Sequence, residues 1–321
     1  MNGSAVRVSA ADIGRRVVVR YRVAESGMAT DALGQLADWA DGALHVRRAD
    51  GELVVVPVDA VIAAKRIPAR PVARREVRAL EAAAALGWRA LEVDHVGGWL
   101  LRAAGGFTGR ANSCLPLSSP GMPLSDAIAV VERWYAARGL RPAFQLPHPL
   151  AGQLDAALSA RGWPAPDQEV LVLTAQVTAA ADALREDLPR SVIAGEPDDA
   201  WLGVYRGGDL PPAARQLLGN ADVVAFASID VSGRRVAIGR GAVTAAPDGT
   251  RWLGITAVEV VPEARRRGYG SHITAALARW AAKHEATGAY VQVAGGNTVA
   301  AAAYERIGFT EHHRYHYRRR P

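Results

Sequence analysis

The sequence predicts an α/β protein: a small all-β segment followed by two α/β halves with the same order of elements. Three observations carry this. Residues 1–68 hold only short β-branched runs separated by turn signals. The paired prolines of Pro68-Ala69-Arg70-Pro71 resist helix and strand alike and mark a linker. Beyond them strands and helices alternate, and the order within 72–180 recurs within 185–321. With 321 residues the chain exceeds one ordinary core and suits two or three domains.

In the first segment, residues 17–23 and 44–47 are strand-like. Asp50-Gly51 is a tight-turn signal before a strand over 53–57, which Pro57 ends. Residues 58–65 form one short helical turn or a final strand. In the second segment, residues 73–86 form a helix that Gly87 caps. Residues 99–102 and 112–117 read as strands. A helix over 125–138 has Ser125 as its N-cap and Gly139 as its stop, and presents Ile128, Val131, Trp134 and Tyr135. A strand over 143–146, a helix over 151–161 and a strand over 169–174 complete this half.

The third segment begins with helices over 200–205 and 212–218, then strands over 223–229, 236–245 and 252–261. A helix after Gly270 places Ile273, Ala276, Leu277, Trp280 and His284 on one face and stops at Gly288. A strand over 290–293, a helix over 298–306 and a strand over 313–317 follow. The repeat shows in spacing: the Gln292-to-Gly308 interval and the Gln145-to-Gly162 interval differ by one residue. The whole order of elements agrees, so we read an internal duplication.

Composition narrows the function classes. Half the residues are apolar and 22% are charged, which describes a folded rather than a disordered chain. No run approaches the ~18 apolar residues of a membrane span. The first residues lack the basic-then-apolar pattern of a secretory signal. Cys114 is the only cysteine, so no intrachain disulfide forms and a reducing cytoplasm is the expected location. The net charge of +6 comes from arginine, Lys65 and Lys283 being the only lysines. Its density peaks at 265–267 and 314–320, without the interleaved aromatics of an RNA-binding sheet, which argues against nucleic acid as the main partner. No cluster suggests a metal.

The strongest motif is Val258-Glu259-Val260-Val261-Pro262-Glu263-Ala264-Arg265-Arg266-Arg267-Gly268-Tyr269-Gly270-Ser271. It reads as strand, proline, basic glycine-containing turn, then helix. A pyrophosphate needs several backbone N–H donors aimed at one spot, and an open helix N-terminus supplies them. Gly268 and Gly270 let the backbone approach closely, and the arginines add charge-assisted contacts. The spacing is neither the dinucleotide Gly-x-Gly-x-x-Gly nor a P-loop. A second motif runs from Asn297 through Thr298, Val299 and four alanines to Tyr304-Glu305-Arg306-Ile307-Gly308-Phe309.

Together these resemble the coenzyme A pyrophosphate loop and the Asn-helix-Tyr-x-x-x-Gly-Phe stretch of the GNAT (GCN5-related) N-acetyltransferases, over residues 190–317. The resemblance implies a GNAT fold in a degenerate half (72–180) and a catalytic half (185–321). It implies acetyl-coenzyme A as acetyl donor, with Arg265 to Ser271 and Asn297 contacting coenzyme A. Backbone N–H groups near Val258 and Val260 would hold the pantetheine and polarise the thioester carbonyl. The substrate amine attacks directly, and Tyr304 protonates the departing thiolate. The acceptor is a primary amine of a small molecule or a protein. Where several family members carry a base earlier on this strand, this sequence has Gly254; Glu259 is the remaining strand carboxylate, and His312, His313 and His316 are further candidates or, on the plainer reading, surface residues near the C-terminus. The all-β segment 1–68 resembles the SH3-like barrels that precede some actinobacterial acyltransferases.

In the first half Leu158 stands where Tyr304 stands in the second, and Ser118-Ser119-Pro120-Gly121-Met122-Pro123 replaces the phosphate loop. Without arginine, and with two prolines lacking N–H donors, this half is not expected to bind a second coenzyme A. Arg102, Thr108, Arg110, Asn112 and Ser113 bracket a glycine turn as a solvated hairpin or an acceptor-recognition cluster. Cys114 on a strand reads as core. Two other functions stay open: an amide-forming acyltransferase similar to mycothiol synthase, and a non-catalytic adaptor that senses acetyl-coenzyme A. Homodimerisation, acyl length and the role of the barrel are not legible.

Overall fold

The computed structural model describes residues 6–48, 52–67, 71–166 and 168–320. The chain divides into two compact units, Met1–Pro71 and Val72–Pro321. The first contains β1 (Val6–Arg7), β2 (Arg16–Arg22), β3 (Ala29–Ala40), β4 (Ala43–Arg47), β5 (Leu53–Pro57) and β6 (Val61–Arg66). These make one sheet in the order β1-β6-β2-β3-β4-β5. Alternate residues Val17, Val19, Leu44, Val46 and Val56 bury its core, the period-two pattern of strands. Strand β3 escaped the sequence reading because its inward positions are Ala32, Gly34 and Leu36, two of them too small to register as apolar. Gly34 is needed there: a Cβ would stand 2.1 Å from the carbonyl oxygen of Arg47. Residues 58–66 prove to be both alternatives, one 3₁₀ turn at Val58–Ala60 and then β6. The expected Asp50-Gly51 turn and the linker residues Pro68, Ala69 and Arg70 lie outside the described residues.

The second unit runs α1 (Arg74–Gly87), β7 (Glu92–Val96), β8 (Trp99–Ala103), β9 (Leu115–Pro116), α2 (Leu124–Ala136), β10 (Ala143–Pro147), α3 (Gly152–Ala160), β11 (Glu169–Gln176) and α4 (Val177–Ala181). It continues with β12 (Val192–Ala194), α5 (Asp199–Val204), α6 (Pro212–Gly219), β13 (Val224–Val231), β14 (Arg234–Ala245), β15 (Arg251–Val260), α7 (Tyr269–Ala282), β16 (Gly288–Ala294), α8 (Thr298–Glu305) and β17 (Thr310–Arg319). Several boundaries differ from expectation. Pro123, not Ser125, is the N-cap of α2. Gly87 lies inside α1, whose cap is Trp88. Helix α7 ends at Ala282, well before Gly288, which instead begins β16 where the Trp252 ring leaves only 2.5 Å for a Cβ. Of residues 112–117 only Leu115–Pro116 form a strand.

Eight strands form one sheet in the order β10-β17-β11-β16-β15-β14-β13-β12, and β7-β8-β9 form a second. The middle of the large sheet is reciprocal. Strand β11 pairs with β16 (Leu173 opposite Val291), β17 pairs with β10 (Tyr317 opposite Gln145), and β11 and β17 pair with each other. Each half therefore lends its last strand to the other. Helix α7 lies close over β14 because the strand is glycine there: a Cβ on Gly239 would meet Ile273 at 2.4 Å. Helix α1 packs on the same sheet, and Thr244 donates its hydroxyl to the carbonyl of Ala83 at 3.0 Å. No helix of the described residues is long and apolar enough to cross a membrane.

Candidate functional site

Strands β15 and β16 run parallel and pair only from Trp252 opposite Gly288 to Ile255 opposite Val291. Beyond that point β16 stays with β11, while β15 stays with β14. A bulge drives them apart: Thr256 to Glu259 spans the stretch of β14 from Arg240 to Ile238, and Ala257 takes a left-handed φ of 52°. The result is a fork whose β15 edge, from Thr256 to Val260, has no sheet partner.

At the mouth of this fork the basic turn enters α7. Arg266 (φ 62°) and Gly268 (φ 90°) both adopt the left-handed conformation, and Gly268 is the N-cap. No hydrogen bond among the described residues uses the amides of Arg266, Arg267 or Gly268, so these donors are free at a helix N-terminus. A Cβ on Gly270 would be 3.9 Å from both Val258 and Val260, so those valines and the start of α7 share a face. The arginines are exposed. Arg265 spends its Nε–H on the Val260 carbonyl (3.1 Å), pinning the loop to the strand. Tyr269 departs from expectation: its side chain is buried in the core, leaving only its backbone for a ligand. Ser271 is half-buried at the helix start. Free amides, left-handed turns and exposed guanidiniums fit an elongated pyrophosphate ligand.

Asn297 caps α8, its side-chain oxygen accepting from the Ala300 amide at 3.1 Å. About two turns later Tyr304 packs edge-on against Phe309 (5.4 Å between centroids), against the same core cluster as Val258, Val260 and Ile307. Burial pushes its phenol up to about 12, while the nearby Thr274 side chain pulls the other way. The phenol is therefore protonated at neutral pH and able to donate.

Glu259 points to the opposite face. Its carboxylate accepts the Arg206 amide at 3.0 Å. Burial raises its pKa above the usual range, against the lowering effect of that hydrogen bond and of Arg206 and Arg265. On this face Arg110 donates to the Gln292 side chain (2.7 Å), and the fully buried Arg240 donates to the carbonyls of Leu218 (2.6 Å) and Gly87 (2.9 Å). Both guanidiniums lie against Trp88. Arg240 and Trp88 were missed from sequence, although a charge inside the apolar run 236–243 was a usable signal.

The remaining candidates are structural. His313 is not a surface residue: it is buried, bonded to Glu81 (2.8 Å) and to His312 (2.8 Å). His316 is buried between Asp155 and His148. Burial and the neighbouring His313 push His312 down to about 4. Arg102 is buried on Ser113 and Gln145, Asn112 braces its own loop, and the Thr108 hydroxyl accepts from the Trp88 ring N–H at 3.0 Å, while Arg110 bonds Gln292 at the fork. Cys114 is buried and its thiol pKa is pushed far up. In the first half, Arg78 bonds the Leu117 carbonyl and Arg74 those of Pro149 and Leu150, across a cavity of about 380 Å³ beside Ser118 and Ser119. Among the described residues no group of three or more metal-binding side chains could hold an ion.

Known proteins share this architecture. A family model described as probable histone acetyltransferase Rv0428c C-terminal matches residues 75–318. A second, the Rv0428c N-terminal Sm-like domain, matches residues 11–65, the segment for which an SH3-like barrel was expected. The chain is 35% identical over 315 residues to the probable histone acetyltransferase Rv0428c of Mycobacterium tuberculosis, covering 97% of this chain and 96% of that protein. It is 27% identical to the uncharacterized N-acetyltransferase YobR of Bacillus subtilis, covering 76% of this chain and 98% of that one. Among solved structures, a GCN5-related N-acetyltransferase from Kribbella flavida shares the fold with a TM-score of 0.57 at 17% identity, over 79% of this chain and 97% of that one. A functionally unknown protein from Staphylococcus epidermidis does so with a TM-score of 0.54 at 14% identity, over 73% and 95%.

Proposed function

Because the chain belongs to the family of the probable histone acetyltransferase Rv0428c, a GNAT-type acetyltransferase family, we propose that it moves an acetyl group from acetyl-coenzyme A to a primary amine in a ternary complex. The observation that carries this is the fork between β15 and β16 with the free amides of Arg266 to Gly268 at its mouth. Acetyl-coenzyme A supplies an acyl carbon activated by its thioester. The chain holds its pyrophosphate on residues 265–271, with Asn297 alongside. The unpaired edge of β15 near Val258 and Val260 offers amides to the thioester carbonyl, as backbone donors do in oxyanion-type stabilisation.

The acceptor approaches from the opposite face. A lysine-like amine of pKa about 10.4 costs roughly 4.6 kcal/mol to deprotonate at pH 7, and an α-amine near 8 far less. In this reading Glu259, whose pKa burial raises, takes that proton. The nitrogen bonds the acetyl carbon, the carbon–sulfur bond breaks, and Tyr304 gives its proton to the leaving sulfur. Solvent returns a proton to Tyr304 and removes those collected from the nitrogen, one more than it returns. The relative's name points to a protein lysine as one acceptor class; a small amine is the other. Calorimetric titration with acetyl-coenzyme A tests the reading. One site per chain, abolished in Gly268→Pro and Arg266→Glu, is the expected result. A folded wild type that does not bind would overturn it.

A further inference from the structure

Resting on that transferase reading, we propose that the acceptor is a small amine that also carries a carboxylate, and that Arg110 is the group that receives the carboxylate.

Position is the first argument. Arg110 is bonded to Gln292, the first residue of β16 past its last partner on β15. Its guanidinium therefore stands at the fork, on the face opposite α7. Arg110 lies over the Trp88 ring, and Arg206, whose amide holds Glu259, lies over the rings of Phe107 and Tyr205; the three rings belong to one core cluster. An acceptor on this face would turn its ammonium toward Glu259 and its carboxylate toward Arg110.

Charge is the second argument. The Trp88 ring lies 5.1 Å from the guanidinium carbon of Arg110 and 4.9 Å from that of Arg240. Among the described residues no carboxylate comes within 4.0 Å of either guanidinium. Arg240 is fully buried, and its Nη2 has no hydrogen-bond partner. Two neighbouring cations, one fully and one half buried, are costly without an anion. Apart from Glu259, which the Arg206 amide holds, the surroundings supply none: burial holds Tyr205 and Tyr317 above their usual pKa and Tyr290 up to about 12, so all three are neutral. The Glu81 carboxylate is taken by His313 and Gln145. Arginine's forked donors match a planar carboxylate in two parallel hydrogen bonds, and Arg110 has donors to spare after its one bond to Gln292. The coenzyme A phosphates cannot be the missing anion, because their loop opens on the α7 face.

The test is thiol release from acetyl-coenzyme A with matched acceptors: amino acids and β-alanine, their carboxamides, and the corresponding decarboxylated amines. We expect wild type to prefer a carboxylated acceptor over its carboxamide by about tenfold to a hundredfold in kcat/KM, the range of a hydrogen-bonded charge. Arg110→Gln should bring that ratio close to one through KM while keeping wild-type acetyl-coenzyme A affinity; Arg110→Lys should restore part of it. Carboxamides or plain amines used as well as the acids, a ratio that survives Arg110→Gln, or preference for a basic protein would each overturn the proposal. So would turnover of none of the carboxylated probes by a protein that binds acetyl-coenzyme A. Failure to bind acetyl-coenzyme A would instead overturn the transferase reading on which this rests.

Discussion

The hydroxyl of Tyr290 occupies the space that a side chain on Gly254 would need: a Cβ there would stand 2.2 Å from that oxygen. A Cβ on Gly87 would approach the same hydroxyl to 2.7 Å. Gly254 is the strand position where a base was sought from sequence, and the ring explains why none can be there. Gly254→Ala should destabilise the second unit by about 1–3 kcal/mol, the usual range for overpacking. Combining it with Tyr290→Leu should recover part of the loss. Urea unfolding of the single and double variants checks this, and equal stability of Gly254→Ala and wild type would contradict it.

In the proposed mechanism Tyr304 donates a proton to the leaving sulfur, and burial pushes its phenol up to about 12. Tyr304→Phe should lower kcat by roughly 10²-fold or more while acetyl-coenzyme A affinity stays near wild type. Since the phenol stays protonated up to that value, no loss of activity from its ionisation is expected below about pH 11. Steady-state kinetics of both proteins across pH is the measurement.

Glu259 must be ionised to accept a proton, and burial raises its pKa. Activity should therefore fall as the pH drops through a value above the ordinary glutamate range, and Glu259→Gln should remove that acidic limb together with most of kcat. The stability effect has the opposite sign: a carboxylate whose folded pKa is raised costs stability above that pKa, and the cost disappears as the group protonates. Thermal unfolding of Glu259→Gln near neutral pH should accordingly show no loss. An unchanged pH profile in this variant would remove Glu259 from the mechanism.

Gly268 sits at a φ of 90°. Alanine there meets left-handed strain of about 1–2 kcal/mol and brings a Cβ within 2.7 Å of Arg185 Nη1. Acetyl-coenzyme A affinity should drop about tenfold in Gly268→Ala, read by calorimetry, with little change in the unfolding midpoint of the first unit.

Glu81 and His313 are both buried, 2.8 Å apart, and Gln145 donates to the other oxygen of Glu81 at 2.8 Å. Glu81→Ala strands both partners and should cost about 3–5 kcal/mol, as removal of one member of a buried pair does. Glu81→Gln, which can still accept and donate, should cost less. Chemical denaturation of the two variants distinguishes them.

How much of this was legible depends on the range of each determinant. The loop at 265–270 and the Asn297-to-Phe309 stretch were readable as motifs because their features are local: a glycine-permitted turn, a helix start and nearby arginines lie consecutively in the chain. Alternating burial likewise marked most strands, and failed at β3, where glycine and alanine fill inward positions. The placement of Glu259 away from Tyr304 and the cofactor loop was not readable, because a bulge at Ala257 decides which face each residue of β15 takes. Nor were the roles of His313 and His316, whose partners Glu81 and Asp155 lie more than a hundred residues away in sequence. The sequence by itself determined the family, the basic glycine turn at 265–270 and the order of elements, since these are written in contiguous residues. Only the tertiary structure decided the exchange of last strands and the meeting of Arg110, Gln292, Trp88 and Arg240, because packing joins segments that nothing local in the chain connects.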